Sequence, residues 1–248
     1  MKQPPKSFIN EKALIEKIEE GYTIGRGPKF TQKKTFSPST LAYGHGECPR
    51  YWFLAFNGAE FADDVNAYSA ANMQSGTHGH ERIQKAMVDS GIAKELERKI
   101  ISEDPPIFGY ADVILDWYEK EIVGEIKTMR DESFAHRKST GRPPVYHLIQ
   151  ILIYMKVLDH KEGVLIYENK NSHEMKVIPV TRTEEYDAFL NDLWEWLKDV
   201  RAAWDGQQLP IKQYRSNAKI CKGCPVAATC DEAGKGVLDI PRMPKLEA

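Results

Sequence analysis

No apolar run in this chain approaches the roughly 20 residues that a membrane-spanning helix needs, and its first residues lack the apolar core of a secretory leader. The chain is therefore expected to be intracellular and cytoplasmic, with no membrane partner. An excess of one charge is missing too. Its 34 Lys and Arg stand against 36 Asp and Glu, a formal net charge of -2. No global field draws in nucleic acid, so any such contact must come from local basic patches. Cysteine is scarce, with four residues in 248. Four thiols in a reducing compartment suit metal ligation better than disulfides.

What remains is an ordinary globular composition, 42% apolar and 28% charged, of a length that suits one elaborated domain with a small appendage. The stretch from Phe108 to Thr128 stands out. Residues 108 to 118 are rich in β-branched and aromatic types, Glu119-Lys120 reads as a polar turn, and Glu121 to Lys127 is a second apolar run. This pattern predicts a β-hairpin. Glu125 and Lys127 are two apart on a strand and so share a face. Antiparallel pairing can bring Asp112 beside them. Two close carboxylates repel unless a hard cation such as Mg²⁺ or Mn²⁺ sits between them, and a neighbouring amine can orient water or stabilise developing charge. A lone E-x-K is more often a solvated ion pair. Here Val113-Ile114-Leu115 and Ile122-Val123 make both strands look buried.

Gly109-Tyr110-Ala111-Asp112 followed by Glu125-Ile126-Lys127-Thr128 resembles the PD-(D/E)XK nuclease superfamily, and within it the RecB-like branch, where G-x-x-D, a short hairpin and E-I-K-T follow in that order. Ala111 stands where the superfamily has proline. Two further elements resemble the same branch. Gly76-Thr77-x-x-His80 falls on an expected helix over residues 73 to 88, and the match selects His80 over His78. Gln150 and Tyr154 are four apart on an expected amphipathic helix over 143 to 158, so they share a face. Taken alone, each of these would pass for an incidental residue on a helix.

Cys221-x2-Cys224-x5-Cys230 is a compact ligand trio, and Cys48 is the one cysteine left to complete it. By count alone, four sulfurs suit tetrahedral zinc or a 4Fe–4S cluster equally well. The distant first cysteine, with Cys48-Pro49-Arg50, resembles the iron–sulfur staple of AddB-type nucleases and of CRISPR-adaptation iron–sulfur exonucleases. That resemblance favours 4Fe–4S, with zinc less favoured. A staple closing so long a loop is worth roughly 4–5 kcal/mol in chain-entropy terms.

The resemblance implies an α/β fold: a restriction-endonuclease-like mixed sheet flanked by helices, with a cysteine-ligated cluster cap. Residues 1–36 are expected as a basic extension, 37–230 as one nuclease domain with its cap from Cys48 and 206–230, and 231–248 as a tail. Residues 1 to 10 look frayed, the basic segment after Lys127 reads as a solvated loop, and 241–248 looks disordered. The resemblance further implies that His80, Asp112, Glu125 and the Ile126 carbonyl hold Mg²⁺ or Mn²⁺, that Lys127 positions the attacking water with Gln150 assisting, and that Tyr154 lies near DNA. Arg137 and Lys138 are candidate phosphate contacts. The expected activity is exonucleolytic cleavage of DNA, chiefly at single-stranded ends, with recombination, repair or CRISPR-adaptation proteins as partners. Two alternatives stay open: a DNA-end-binding or adaptation partner whose cleavage is secondary, and a zinc-stapled structural module without chemistry. No helicase motif occurs, so unwinding would need another protein.

Overall fold

A β-hairpin forms the middle of a five-stranded sheet in the computed structural model, which describes residues 10–41 and 43–246. The strands are β3 (Ala93–Ser102), β4 (Ile107–Trp117), β5 (Lys120–Met129), β6 (Glu162–Asn169) and β7 (Met175–Thr181), in that spatial order. Two shorter strands, β1 (Lys29–Phe30) and β2 (Glu60–Phe61), pair separately. The hairpin turn lies one residue earlier than the sequence suggests. Trp117 pairs with Lys120, which leaves Tyr118 and Glu119 as the two-residue loop, at φ 51 and 66. Positive φ at both loop positions matches the right-handed twist of the flanking strands.

β5 and β6 run parallel, whereas the other neighbours in the sheet are antiparallel. A parallel pair needs a crossover connection, and α5 (Asp131–Thr140) with α6 (Val145–Val157) provide it. The basic segment after Lys127, expected as a loop, is thus mostly helix. Asp131 and Glu132 occupy its first turn, Arg137 and Lys138 its last, and Gly141 ends it at φ 66. Those charges complement the helix dipole, and the glycine is the left-handed terminator. Phe134 is its single buried anchor, so the apolar periodicity was too thin to reveal a helix. α6 departs from expectation in the other sense. Every residue from Leu148 to Met155 is buried, because the helix is enclosed between the sheet and α7 (Glu184–Asp205).

Strand alternation divides the core into two faces. Val123, Leu165 and Tyr167 join the large cluster with α6 and α7, whereas Ile126, Val164 and Ile166 join a smaller one with Ile83 and Met87. The latter two lie on α4 (Ala67–Asp89), whose N-cap is the Asn66 side chain, accepting from the Ser69 amide. Each fully buried side chain of this size contributes roughly 1.5–3 kcal/mol. On β5, Glu125 and Lys127 therefore face α6, and Thr128 faces α4.

Ahead of the sheet lie α1 (Glu11–Thr23), α2 (Pro38–Leu41), a 3-10 turn at Gly44–Glu47 and α3 (Pro49–Phe56). The chain does not run through as one helix here, because Gly44 takes φ 56 and Pro49 restarts it at a first helical position. Three of the basic residues before it are tied down rather than free. Arg26 pairs with Asp63, Lys33 donates to Ser37 Oγ, and Lys34 donates to the Phe56 carbonyl. After α7 come two short turns of helix, α8 (Lys219–Lys222) and α9 (Ala227–Glu232). The tail, expected to be disordered from 241, packs instead as far as it is described. Met243 and Leu246 are buried, and Trp196 Nε1 donates to the Pro241 carbonyl at 2.8 Å. The expected fraying of residues 1 to 10 lies outside the described residues except at Asn10, which caps α1 through its side chain. No helix among the described residues is long and apolar enough to cross a membrane.

Candidate active site

Asp112 sits where the two hairpin strands part. Their paired register ends at Val113↔Gly124, and beyond it Asp112 Oδ2 accepts from the Ile126 amide at 2.6 Å. A carboxylate thus replaces a backbone carbonyl in the ladder and is fixed by it. From α4, His80 Nδ1 lies 3.6 Å from the same oxygen, and Gln84 Nε2 donates to the Asp112 carbonyl at 2.9 Å. The α4 helix and both hairpin strands therefore hold this residue. The same oxygen raises the His80 pKa: burial alone would lower it, but the hydrogen bond and charge of Asp112 outweigh that.

Glu125 is 2% exposed. Its Oε1 accepts from Lys127 Nζ and from Gln150 Nε2, the latter at 2.7 Å. Its Oε2 is buried and has no hydrogen-bond partner. Burial pushes this carboxyl up to about 7, with the Lys127 ammonium pulling it back and Asp112 pushing it further up. Gln150 Nε2 also donates to Tyr154 Oη at 2.7 Å. Tyr154, expected near DNA, is 3% exposed. It holds Gln150 from inside the core and presents no face for a nucleotide.

The two candidate phosphate contacts diverge. Arg137 Nη1 donates to the Arg142 carbonyl at 2.9 Å, while its Nε is buried without a partner. Lys138 is exposed and ion-paired with Glu174. Sequence reasoning missed His147, whose Nδ1 lies 3.0 Å from Tyr167 Oη. Burial, then the charges of Lys127 and Arg137, push its pKa down to about 3, so it faces the site as a neutral imidazole. Its position three residues before Gln150 was the available signal, since i and i+3 share a helical face. His78, two residues before His80, lines a different cavity with Arg82 and Glu168.

Among the described residues, no three or more His, Cys, Asp and Glu side chains stand as a ready-made metal group. In the carboxylate site the reason is visible: Asp112 turns an oxygen to an amide, and Glu125 turns one to Lys127 and Gln150. The donor chemistry nevertheless fits a hard divalent cation, because a buried carboxylate oxygen without a partner is costly unless something positive meets it. Away from the hairpin, Cys48, Cys221, Cys224 and Cys230 are all free thiols lining one cavity of about 50 Å³. Burial pushes Cys224 up to about 12 and raises Cys48 and Cys221. Thiols are the ligand type a soft metal centre takes, although these four, too, do not stand as a ready-made metal group. Arg50, quoted in the sequence for its neighbour alone, organises this corner. It is 1% exposed, and it donates to Cys230 Sγ at 3.1 Å and to the carbonyls of Pro210, Cys230 and Gly234.

Residues 106–231 match the family model of the PD-(D/E)XK nuclease superfamily. Two crystal structures of LHK-Exo, an alkaline exonuclease from Laribacter hongkongensis, superpose at TM-score 0.53, one of them a complex with dAMP. Their identity to this chain is 13% and 12%, and each alignment covers 70% of this chain and 89% of theirs. That likeness is one of fold. No curated protein matches the sequence.

Proposed function

The chain belongs to the PD-(D/E)XK nuclease superfamily, whose model matches just over half of it, and from that premise we propose that it is a divalent-metal-dependent deoxyribonuclease of the RecB-like branch. Its reaction is exonucleolytic hydrolysis of DNA phosphodiesters, with single-stranded ends as substrate. The observation that carries this reading is Glu125: a carboxylate buried at 2% exposure, with one oxygen unpartnered and the other shared by Lys127 and Gln150. A surface ion pair would have neither the burial nor the orphaned atom.

His80, Asp112 and Glu125, with the Ile126 carbonyl, would hold Mg²⁺ or Mn²⁺, and such a cation supplies Lewis-acid activation of the phosphate. Lys127 brings its ammonium beside Glu125, where it orients water and offsets charge on the phosphoryl oxygens. Gln150 fixes the Glu125 carboxylate from α6 and is itself fixed by Tyr154. Arg137 would contact a phosphate oxygen, and Lys138 would add surface charge once it leaves Glu174. The alkaline exonuclease fold of LHK-Exo supports the exonuclease reading by similarity of scaffold.

The four cysteines are read as ligands of a 4Fe–4S staple. Supporting this are their convergence on one cavity and the Arg50 donor on Cys230, since donors to ligand sulfur are a recurrent feature of such centres. Metal analysis distinguishes the staple from zinc: iron and sulfide with broad visible absorption support it, whereas stoichiometric zinc in colourless protein overturns it.

The activity is tested by incubating the protein with end-labelled single- and double-stranded DNA, with and without Mn²⁺. Release of short products from single-stranded ends in Mn²⁺ alone is the expected result. DNA retention without cleavage under every metal condition would sink the enzyme reading and leave an end-binding protein.

A further inference from the structure

Glu168 and Arg82 form a second charged cluster, on the face of the sheet away from Glu125 and Lys127. Glu168 lies on β6 in register with Thr128 of β5, and its side chain is 3% exposed. Arg82 of α4 donates from a single nitrogen, Nη2, to both carboxylate oxygens, at 2.8 and 2.7 Å. Its side chain is nevertheless 51% exposed. Among the described residues, its Nη1 and Nε make no hydrogen bond. The guanidinium is therefore gripped from behind by a buried carboxylate and turns its remaining donors outward.

Those donors border a cavity of about 430 Å³ that Ser75, His78, Lys170 and His173 also line. Lys170 Nζ reaches only the Asn72 carbonyl, at 3.3 Å, so no described carboxylate neutralises it. Glu168, the one carboxylate in the wall, is occupied by Arg82, and His173 Nδ1 also lies 3.5 Å from its Oε1. A second cavity of about 480 Å³ shares Ser75 and Lys170 but adds Asp131 and Glu132 beside Arg130, so the anion-attracting lining is confined to the first cavity. An arginine kept only to satisfy a buried acid has no need of an open cavity ringed by a lysine and two histidines. A fixed guanidinium, an unpaired ammonium and imidazoles able to donate are the donor set that a tetrahedral oxyanion takes.

We propose that this cavity is a phosphate-binding subsite, which holds a phosphate of the nucleic-acid chain on the α4 side of the sheet while cleavage occurs on the α6 side. The identity of the ligand rests on the nuclease reading; the chemistry of the pocket does not. Two sources share that chemistry, a backbone phosphate of the polymer and a free mononucleotide or inorganic phosphate. Glu168 acts as a positioning residue, through Arg82.

The test uses full-length protein carrying Lys127→Ala in buffer free of divalent metal, which together suppress digestion, with and without Arg82→Gln or Lys170→Gln. Binding of a fluorescent single-stranded oligonucleotide is measured across a salt series. Each of the two added substitutions should weaken binding about tenfold, one lost charged hydrogen bond being worth roughly that factor. Each should also flatten the slope of log affinity against log salt by about 0.7, the value for one phosphate contact on a single strand. In parallel, imidazole resonances of His78 and His173 are followed on adding inorganic phosphate or dAMP. Shifts that vanish with Arg82→Gln confirm an anion site. Phosphate binding without oligonucleotide binding would retain the subsite for free phosphate and fail the nuclease reading. An unchanged salt slope in both variants, with unmoved imidazole resonances, would overturn the subsite itself. Folded state is checked by thermal melting, and Lys170→Gln, which breaks no carboxylate pair, serves if Arg82→Gln proves unstable.

Discussion

Gly79 presses α4 onto Thr128 so closely that a β-carbon at Gly79 would stand 2.7 Å from Thr128 Cγ2. The next residue on α4 is His80, 3.6 Å from Asp112. The glycine therefore sets the distance between an imidazole and the carboxylate site. Gly79→Ala should push α4 outward, weaken Mn²⁺ binding about tenfold or more and lower the melting temperature, since overpacking of this kind costs roughly 1–3 kcal/mol. Thr128→Ser removes the clashing methyl and should restore much of both losses in the double variant. Calorimetric Mn²⁺ titration and thermal melting of the four proteins measure the coupling. Additive losses without rescue would show that the contact does not position His80.

Arg50 is expected to matter for stability more than for chemistry. It is buried, and it feeds one thiol and three carbonyls. Each acceptor left unsatisfied costs roughly 1–3 kcal/mol. Arg50→Met should therefore destabilise the protein by several kcal/mol and loosen residues 210–234, seen as faster amide exchange there. Exchange confined to other regions would dissociate Arg50 from the cap.

Much of this was legible in the sequence because the residues are locally punctuated. Asp112, Glu125 and Lys127 lie on one hairpin whose apolar runs read directly, with the turn displaced by one residue, and Gln150 and Tyr154 share a helical face. Other features were hidden. α5 shows a single apolar anchor, Phe134, so periodicity had nothing to report. Arg82 and Glu168 meet only because α4 crosses the end of a parallel strand pair, and no local spacing encodes that. Tyr154 does share its face with Gln150, but that face is turned onto the sheet beside Gly109 of β4, which buries it.

The pH dependence of stability should carry a signature of His147. Its folded pKa is depressed to about 3, below the ordinary 6.5 of the unfolded chain. Between those values the unfolded state binds a proton that the folded state refuses. Stability is therefore full above about pH 6.5 and lost as the pH falls through that window. Metal-free Glu125 acts in the opposite sense, because its raised pKa lets the folded state hold a proton that the unfolded state has released, which favours the fold as the pH falls towards 4.5. The wild-type curve alone mixes the two. His147→Gln should cut the loss of stability between pH 6.5 and 5 by up to about 2 kcal/mol, at 1.36 kcal/mol for each unit. Denaturant titrations at both pH values check this, and identical pH dependence in variant and wild type would rule it out.

The last prediction separates metal binding from catalysis on one strand. Glu125 and Lys127 meet through Oε1 and Nζ, yet removing each should have a different consequence. Glu125→Ala takes an anionic oxygen from a hard cation, so it should abolish cleavage and weaken Mn²⁺ binding together. Lys127→Ala removes a positive charge that competes for the same oxygen. Its Mn²⁺ affinity should hold or rise slightly while cleavage falls by about 10²–10³, the cost of one well-placed electrostatic stabiliser. Burial holds the Glu125 carboxyl high, so Mn²⁺ binding near neutrality should also release a proton. That release should show as a buffer-dependent heat in calorimetry and shrink in Glu125→Ala to the part that His80 contributes. Near-full activity in Lys127→Ala would make the pair a structural ion contact, and the catalytic role would pass to another group on the α6 side, with His147 the nearest candidate.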